Sequence, residues 1–272
     1  MPPQQHRASD HNPNNLDLTR VATYERVIRA PLERVWENVL DWEHLPHLHA
    51  SSFDYIAHDS AGEWGWRTWS DPGHNSHVEL CVVDEERYVA RSYTAGRQAS
   101  EIWTTLEPRG EQTAISVEFY LTDVDPHRAD SLGEMMLGLY SRLWDEDEAM
   151  MRERHRRLRE SRPDRDSVNL GDREALLAQL ENRETVLAQL GKREYQLRLH
   201  AGKLIAHATI CPHLLGPLTD VPIEQGTLRC PWHGYEFDLE SGECLSPAHA
   251  NCKLPPGPTV EEVAGEIILR VG

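Results

Sequence analysis

Two short strings in the C-terminal third of the chain each pair a thiol with an imidazole: Cys211-Pro212-His213 and Cys230-Pro231-Trp232-His233. Two thiolates and two imidazoles from two Pro-containing loops suit a [2Fe–2S] cluster whose irons differ, one held by sulfur and the other by nitrogen. Zinc also takes a Cys2His2 set, but its finger spacings are usually Cys-x2–4-Cys and His-x3–5-His. Gly216, Pro217 and Gly234 supply the loop chemistry that brings backbone close to a cluster. The chemistry expected of these residues is transfer of single electrons.

The longer strings, Cys-Pro-His-Leu-Leu-Gly-Pro-Leu (211–218) and Cys-Pro-Trp-His-Gly-Tyr-Glu-Phe-Asp (230–238), resemble the Rieske iron–sulfur family. That resemblance makes Cys211, His213, Cys230 and His233 the cluster ligands. Respiratory members carry an extra cysteine in each loop, together with a Ser and a Tyr that hydrogen-bond the cluster sulfurs. Here the corresponding positions hold Leu215 or Gly216, Trp232, Tyr235 and Phe237. Fewer hydrogen bonds to sulfur lower the reduction potential, so the resemblance implies the low-potential type that feeds O2 activation.

At 272 residues the chain has room for two modest domains, and its net charge of −17 argues against a nucleic-acid partner. No stretch approaches the ~20 apolar residues of a membrane span, and the polar N-terminus does not read as a signal peptide. Beyond the two cysteines assigned to the cluster, Cys81, Cys244 and Cys252 remain. That odd number argues against a disulfide framework and for a reducing cytoplasm.

The elements that must position this chemistry fall into two groups, giving an α+β chain. Residues 1–19 are polar and aperiodic and read as a disordered tail. A strand over Val21–Ile28 leads through Ala30-Pro31 into a helix with Val35, Trp36, Val39 and Leu40 on one face, ending near Pro46. Strands follow at Glu63–Trp69, His77–Val83, Tyr88–Thr94, Glu101–Leu106 and Thr113–Leu121; in the last, Ile115, Val117, Phe119 and Leu121 alternate with polar positions. A long helix spans about His127–Arg159. The string Ala30-Pro31-Leu32-Glu33-Arg34-Val35-Trp36 resembles the START/Bet v 1-like (SRPBCC) superfamily, which implies a helix-grip fold over 20–160 with an apolar cavity between sheet and last helix. A linker is expected over 161–170. The all-β Rieske domain is expected over 171–272, with the echoing strings Arg173–Leu180 and Arg183–Leu190 as a helical lead-in. Its short strands are read at Tyr195–Leu199, Leu204–Ala208, Thr227–Cys230, Tyr235–Asp238 and Ile267–Val271.

A second metal is suggested within the first group. The segment Glu37–His49 resembles the Asn-x-x-Asp-x-x-His-x4-His segment of Rieske non-heme iron oxygenases. Carried across, His44 and His49 are ligands of a mononuclear Fe(II), Asp41 is the electron-transfer bridge and Asn38 is the leading residue. His47 is an alternative to His49. A carboxylate on the long helix would complete a two-His-one-carboxylate triad. A helical wheel puts Leu132, Met136, Leu139, Leu143 and Met150 on one face, with Asp147 within it and Glu146 on its margin, while Asp145 and Glu148 point away. Asp147 is the expected third ligand and Glu146 the alternative.

Together these resemblances imply a Rieske oxygenase with the usual domain order reversed. It would be served by an NAD(P)H-dependent reductase, directly or through a ferredoxin, trimeric by resemblance, and would oxidise a small apolar or aromatic substrate in a cavity to which Trp64, Trp66 and Trp69 are candidate walls. The competing reading is a Rieske electron-transfer protein fused to a metal-free START-like ligand-binding domain.

Overall fold

The computed structural model of the chain describes residues 18–161, 163–248 and 250–271. The expected disordered tail lies outside the described residues up to position 17, while Leu18 and Thr19 open the first strand. The chain divides into two compact units, one ending at His155 and the other beginning at Arg156. Among the described residues no helix is long and apolar enough to cross a membrane.

The first unit runs β1 (Leu18–Ile28), α1 (Leu32–Val39), α2 (Leu45–Leu48), β2 (Ala57–Gly62), β3 (Gly65–Trp69), β4 (Ser76–Val82), β5 (Arg87–Thr94), β6 (Arg97–Arg109), β7 (Gln112–Thr122) and α3 (Ala129–Arg159). The strands form one antiparallel sheet in the order β1-β7-β6-β5-β4-β3-β2. Strand β2, which the sequence pattern does not announce, is small and polar, and pairs as a hairpin with β3. Pro46 does not end the first helix. Helix α1 stops at Val39 and Pro46 lies in the first turn of α2, where its missing N–H is no loss.

Register puts Trp66, Leu80, Ala90, Ile102 and Phe119 in one row across the sheet. This row faces the core, where Met136, Tyr140, Trp144 and Met151 of α3 pack with it at helical spacing. The buried stripe of α3 is thus turned slightly from the expected one, with Trp144 at its centre. Gly133 permits the approach of α3 to β1, since a Cβ there would lie 2.5 Å from the Val21 carbonyl oxygen.

The opposite sheet face carries a row of alternating charge. Arg67, Glu79, Arg91 and Glu101 are successive cross-strand partners on β3 to β6. Glu79 is wholly buried and accepts hydrogen bonds from Arg67 Nη2 and the Tyr93 hydroxyl, each at 3.0 Å. Glu101 is also buried and accepts from Trp103 Nε1 at 2.7 Å and Gln98 Nε2 at 3.0 Å, with Arg91 3.5 Å away. A second charged clamp ties α3 to β1. Glu148 is buried, with Arg26 Nη2 donating to it at 2.6 Å and Arg29 Nε donating to its other oxygen. The helical wheel turns Glu148 away from the core stripe; the structure buries it against these two arginines instead. Burial alone would raise its pKa, but Arg29 and Arg26 hold the carboxyl below the usual glutamate range.

The second unit is built from β8 (Ser167–Asp172), α4 (Arg173–Glu181), β9 (Val186–Leu190), β10 (Arg193–His200), β11 (Lys203–Ala208), β12 (Ile223–Glu224), β13 (Thr227–Arg229), β14 (Glu236–Asp238), β15 (Cys244–Ser246), β16 (Thr259–Val263) and β17 (Glu266–Arg270). Three small antiparallel sheets result, β11-β10-β9, β12-β13-β14-β15 and β16-β17-β8. The expected linker is in part strand, because β8 begins at Ser167 and pairs with β17. Only the first of the echoing strings is helical. Its helix α4 is capped by Asp172, whose side chain accepts from Ala175 N at 2.9 Å. The second string has Thr185-Val186 in place of Ala175-Leu176 and forms β9, which β10 recruits through the turn at Gly191.

Two outcomes check these networks by urea unfolding of the first unit. Glu79→Ala, which removes the buried acceptor shared by Arg67 and Tyr93, is expected to cost about 3–5 kcal/mol. Arg97→Ala removes an exposed pair with Asp123 at 3.4 Å and is expected to change stability by less than about 0.5 kcal/mol. Glu148 has a lowered pKa, so its stabilisation is present above the ordinary glutamate value and lost as pH falls through the folded one. Glu148→Gln should therefore cost about 1–3 kcal/mol at pH 7 and flatten the acid limb of a stability–pH profile.

Candidate functional site

In the first unit, the short helix α2 explains the spacing of two histidines. His44 is its N-cap and His49 its C-cap, so one turn, Leu45–Leu48, separates them, and both rings are buried. Their centroids lie 5.0 Å apart at 76°. Asp147 arrives from α3 among core side chains. The ligand atoms of His44, His49 and Asp147 all lie within 4.8 Å of one another, and all three residues are buried. His47 and Glu146 are not part of that group, although Glu146 takes a different place beside it.

The distances show how the set is held. His49 Nε2 is 3.0 Å and His44 Nε2 3.5 Å from Asp147 Oδ1. Asn38 Nδ2 donates to the same oxygen at 3.0 Å from the buried face of α1. The other ring nitrogen of His49, Nδ1, is 2.6 Å from Glu146 Oε2. Asp41 is placed by the Glu43 N–H, which donates to its Oδ1 at 3.0 Å, and its Oδ2 is 3.7 Å from His44 Nδ1. Burial opposes the Asp147 charge, but His49, His44 and Asn38 outweigh it and hold the carboxyl below its ordinary value. Burial likewise opposes the His49 charge, and Asp147 with Glu146 outweighs it and raises that pKa. Two neutral-capable imidazoles and one ionised carboxylate on adjoining elements fit a divalent transition metal with positions left open.

A cavity of about 140 Å³ adjoins this set, walled chiefly by Ile56, Trp66, Val78, Leu80, Leu143 and Trp144. Tyr88 and Tyr140 also line it, with burial raising both phenol pKa values. Of the three tryptophans suggested by sequence, Trp66 is a wall, fixed by its Nε1 donating to the Val39 carbonyl at 2.9 Å. Trp64 and Trp69 do not line it.

In the second unit, the two thiol–imidazole strings form matching loops. Cys211 N donates to Gly216 O and Cys230 N donates to Tyr235 O, each at 2.8 Å and each closing on the fifth residue ahead. The residue before each closure is left-handed, Leu215 at φ 63° and Gly234 at φ 67°. His213 and His233 rings meet at 4.7 Å and 85°, and His213 stacks on Tyr235 at 4.1 Å. A Cβ on Gly216 would lie 2.6 Å from Cys230 Sγ, so the first loop can pass the second only with glycine there. The two buried thiols share a hydrogen bond, which with His233 lowers the Cys230 pKa, while that same contact and burial raise the Cys211 pKa. Two sulfurs and two imidazoles converging in a glycine-lined cradle fit the [2Fe–2S] donor set. The structure thus brings together Cys211, His213, Cys230 and His233 in one unit, and His44, His49 and Asp147 with Asp41 in the other. Asn38 stands out in the sequence only as the leading residue of a motif, and nothing local marks it as the partner of Asp147. Glu146, the alternative ligand, has its place against His49 Nδ1 through tertiary packing.

Among proteins of known activity, the chain is similar to the oxygenase component of dicamba O-demethylase from Stenotrophomonas maltophilia, 43% identical over 54 residues. That match covers 20% of this chain and 16% of the relative's length. Solved structures with partial likeness include the ferredoxin of carbazole 1,9a-dioxygenase from Nocardioides aromaticivorans, 20% identical, covering 39% of this chain and 99% of the other with a TM-score of 0.31. Norcoclaurine synthase from Thalictrum flavum is 16% identical, covering 50% and 87% with a TM-score of 0.36. The family profile described as the Rieske [2Fe-2S] domain matches residues 172–260. Residues 172–260, with the paired loops that carry Cys211, His213, Cys230 and His233, are therefore a Rieske [2Fe-2S] domain.

Proposed function

We propose that the chain is a Rieske-type non-heme iron oxygenase acting on a small apolar or aromatic substrate. The observation that carries this is the buried His44–His49–Asp147 set beside an apolar cavity, in a chain that also holds a Rieske domain. Similarity to the oxygenase component of dicamba O-demethylase supports the same reading. When bound, the [2Fe–2S] cluster would supply single electrons and a mononuclear Fe(II) would supply the O2-activating centre. The sheet and long helix around the cavity are read as a helix-grip, START/Bet v 1-like domain, here preceding the Rieske domain.

Each residue then has a defined task. His44, His49 and Asp147 hold the metal. Glu146 accepts a hydrogen bond from the Nδ1–H of His49, which leaves the Nε2 lone pair to bind the metal. Asn38 donates to Asp147 and fixes the carboxylate plane. Asp41, beside His44, is the candidate link between the two centres. The apolar walls exclude water and hold the substrate. A reductase, with or without a ferredoxin, would reduce the cluster at Cys211, His213, Cys230 and His233. A cytoplasmic setting and a homo-oligomer, a trimer by resemblance, belong to the same proposal.

A second reading is favoured by one observation: His49, Asn38 and Asp147 satisfy one another by hydrogen bonding as they stand. On it the first unit is a metal-free ligand-binding domain served by a Rieske electron carrier. Anaerobic purification with iron and sulfide analysis separates the two. The oxygenase reading expects about three irons per two acid-labile sulfides, with a nitric oxide EPR signal lost in His44→Ala and Asp147→Ala. About two irons per two sulfides after Fe(II) reconstitution would overturn it. Glu146→Gln is expected to weaken Fe(II) retention about 10–100-fold in equilibrium dialysis, leaving the cluster spectrum unchanged.

A further inference from the structure

Two cysteines that the cluster does not use flank an isolated antiparallel bridge. Glu243 and Lys253 form an isolated antiparallel bridge, with Leu254 N donating to Gly242 O at 2.8 Å. The Lys253 ammonium reaches across it to Glu243 at 2.5 Å. In an antiparallel pair, one step forward on one strand meets one step back on the other, so Cys244 stands opposite Cys252. Opposed residues in such pairs have Cα atoms about 4.5–5.5 Å apart, within the roughly 4.4–6.8 Å range that a disulfide spans. Their side chains leave the same face of the pair, and the thiols are close enough to interact, which with burial pushes Cys252 up to about 11. Both residues are partly exposed, unlike the buried Cys81, Cys211 and Cys230.

We infer that Cys244 and Cys252 are a reversible disulfide site that exchanges with low-molecular-weight disulfides. The thiolate of Cys244 attacks one sulfur of a disulfide R–S–S–R, expelling R–S⁻ and leaving Cys244–S–S–R. The thiolate of Cys252 then attacks the Cys244 sulfur, expelling the second R–S⁻ and forming the protein disulfide. The two protein thiols are oxidised by two electrons, the reagent is reduced to two thiols, and the two protons pass to the departing thiolates. In a reducing compartment such a pair is open and closes only when the small-molecule pool is oxidised.

The test uses the full, cluster-loaded protein treated with oxidised glutathione. The expected result is loss of two maleimide-reactive thiols and about 2 Da, a linked peptide containing Cys244 and Cys252, and reversal by dithiothreitol. The visible spectrum of the cluster should persist throughout. In Cys252→Ser the reaction should stop at a stable glutathione adduct on Cys244, and in Cys244→Ser the disulfide should not form. A wild-type protein that keeps all its thiols, accumulates the glutathione adduct, or closes a disulfide through Cys211 or Cys230 with bleaching would overturn the inference.

Discussion

A carboxylate set among apolar side chains stays ionised only if donors or a cation hold it. In the first unit that constraint falls on Asp147, and its neighbours are arranged around it. Helix α1 presents Asn38, the two ends of α2 present His44 and His49, and α3 carries Asp147 between Trp144 and Met151 of the packed stripe. One residue further along, Glu148 is pinned by Arg26 and Arg29 of the β1 end, which fixes the rotation of α3 about its axis. The charge at the site and the packing of the longest helix are therefore one problem. Rotation of α3 would expose Trp144 and strand two buried carboxylates together.

The sheet solves a related problem on its other face. Arg67, Glu79, Arg91 and Glu101 alternate in sign across four strands, each flanked by the charge it needs, with Tyr93, Gln98 and Trp103 closing the remaining hydrogen bonds. Full burial of Glu79 is tolerable only because the neighbouring strands are in this register. A one-residue slip would move these charges into the cavity face and the apolar row Trp66–Phe119 outward. Charge thus reinforces the same register that hydrophobic burial selects, and the cavity walls inherit their positions from both.

In the second unit the constraint is close approach. The two loops repeat one backbone design, a closing hydrogen bond five residues after each cysteine and a left-handed residue just before the closure. Only Gly216 lets the loops come together at Cys230 Sγ. The small sheets around them are short, and their buried side chains, Leu197, Leu228 and Phe237 among them, serve as a rigid mount for loops that carry the chemistry.

Patterns confined to one stretch of chain are legible from its residues. Cys211 with His213 and Cys230 with His233 sit in single loops, so spacing alone announces their chemistry. The alternation of Ile115, Val117 and Phe119 announces a half-buried strand, and helical periodicity sets Asp147 apart from Asp145. What the tertiary structure decided depends on partners distant along the chain. The string Val186–Leu190 nearly repeats a helical one, yet it is a strand because β10 offers it an edge. Ser167 to Leu170 have the composition of a linker, yet pairing with β17 makes them strand. The polar β2, the burial of Glu148 and the placing of Cys244 and Cys252 about one bridge likewise follow from register and packing. Side-chain spacing along one segment is determined by the covalent chain. Which segments meet, and with which faces, is set by the collective burial of apolar surface and the pairing of charge, which no single segment carries.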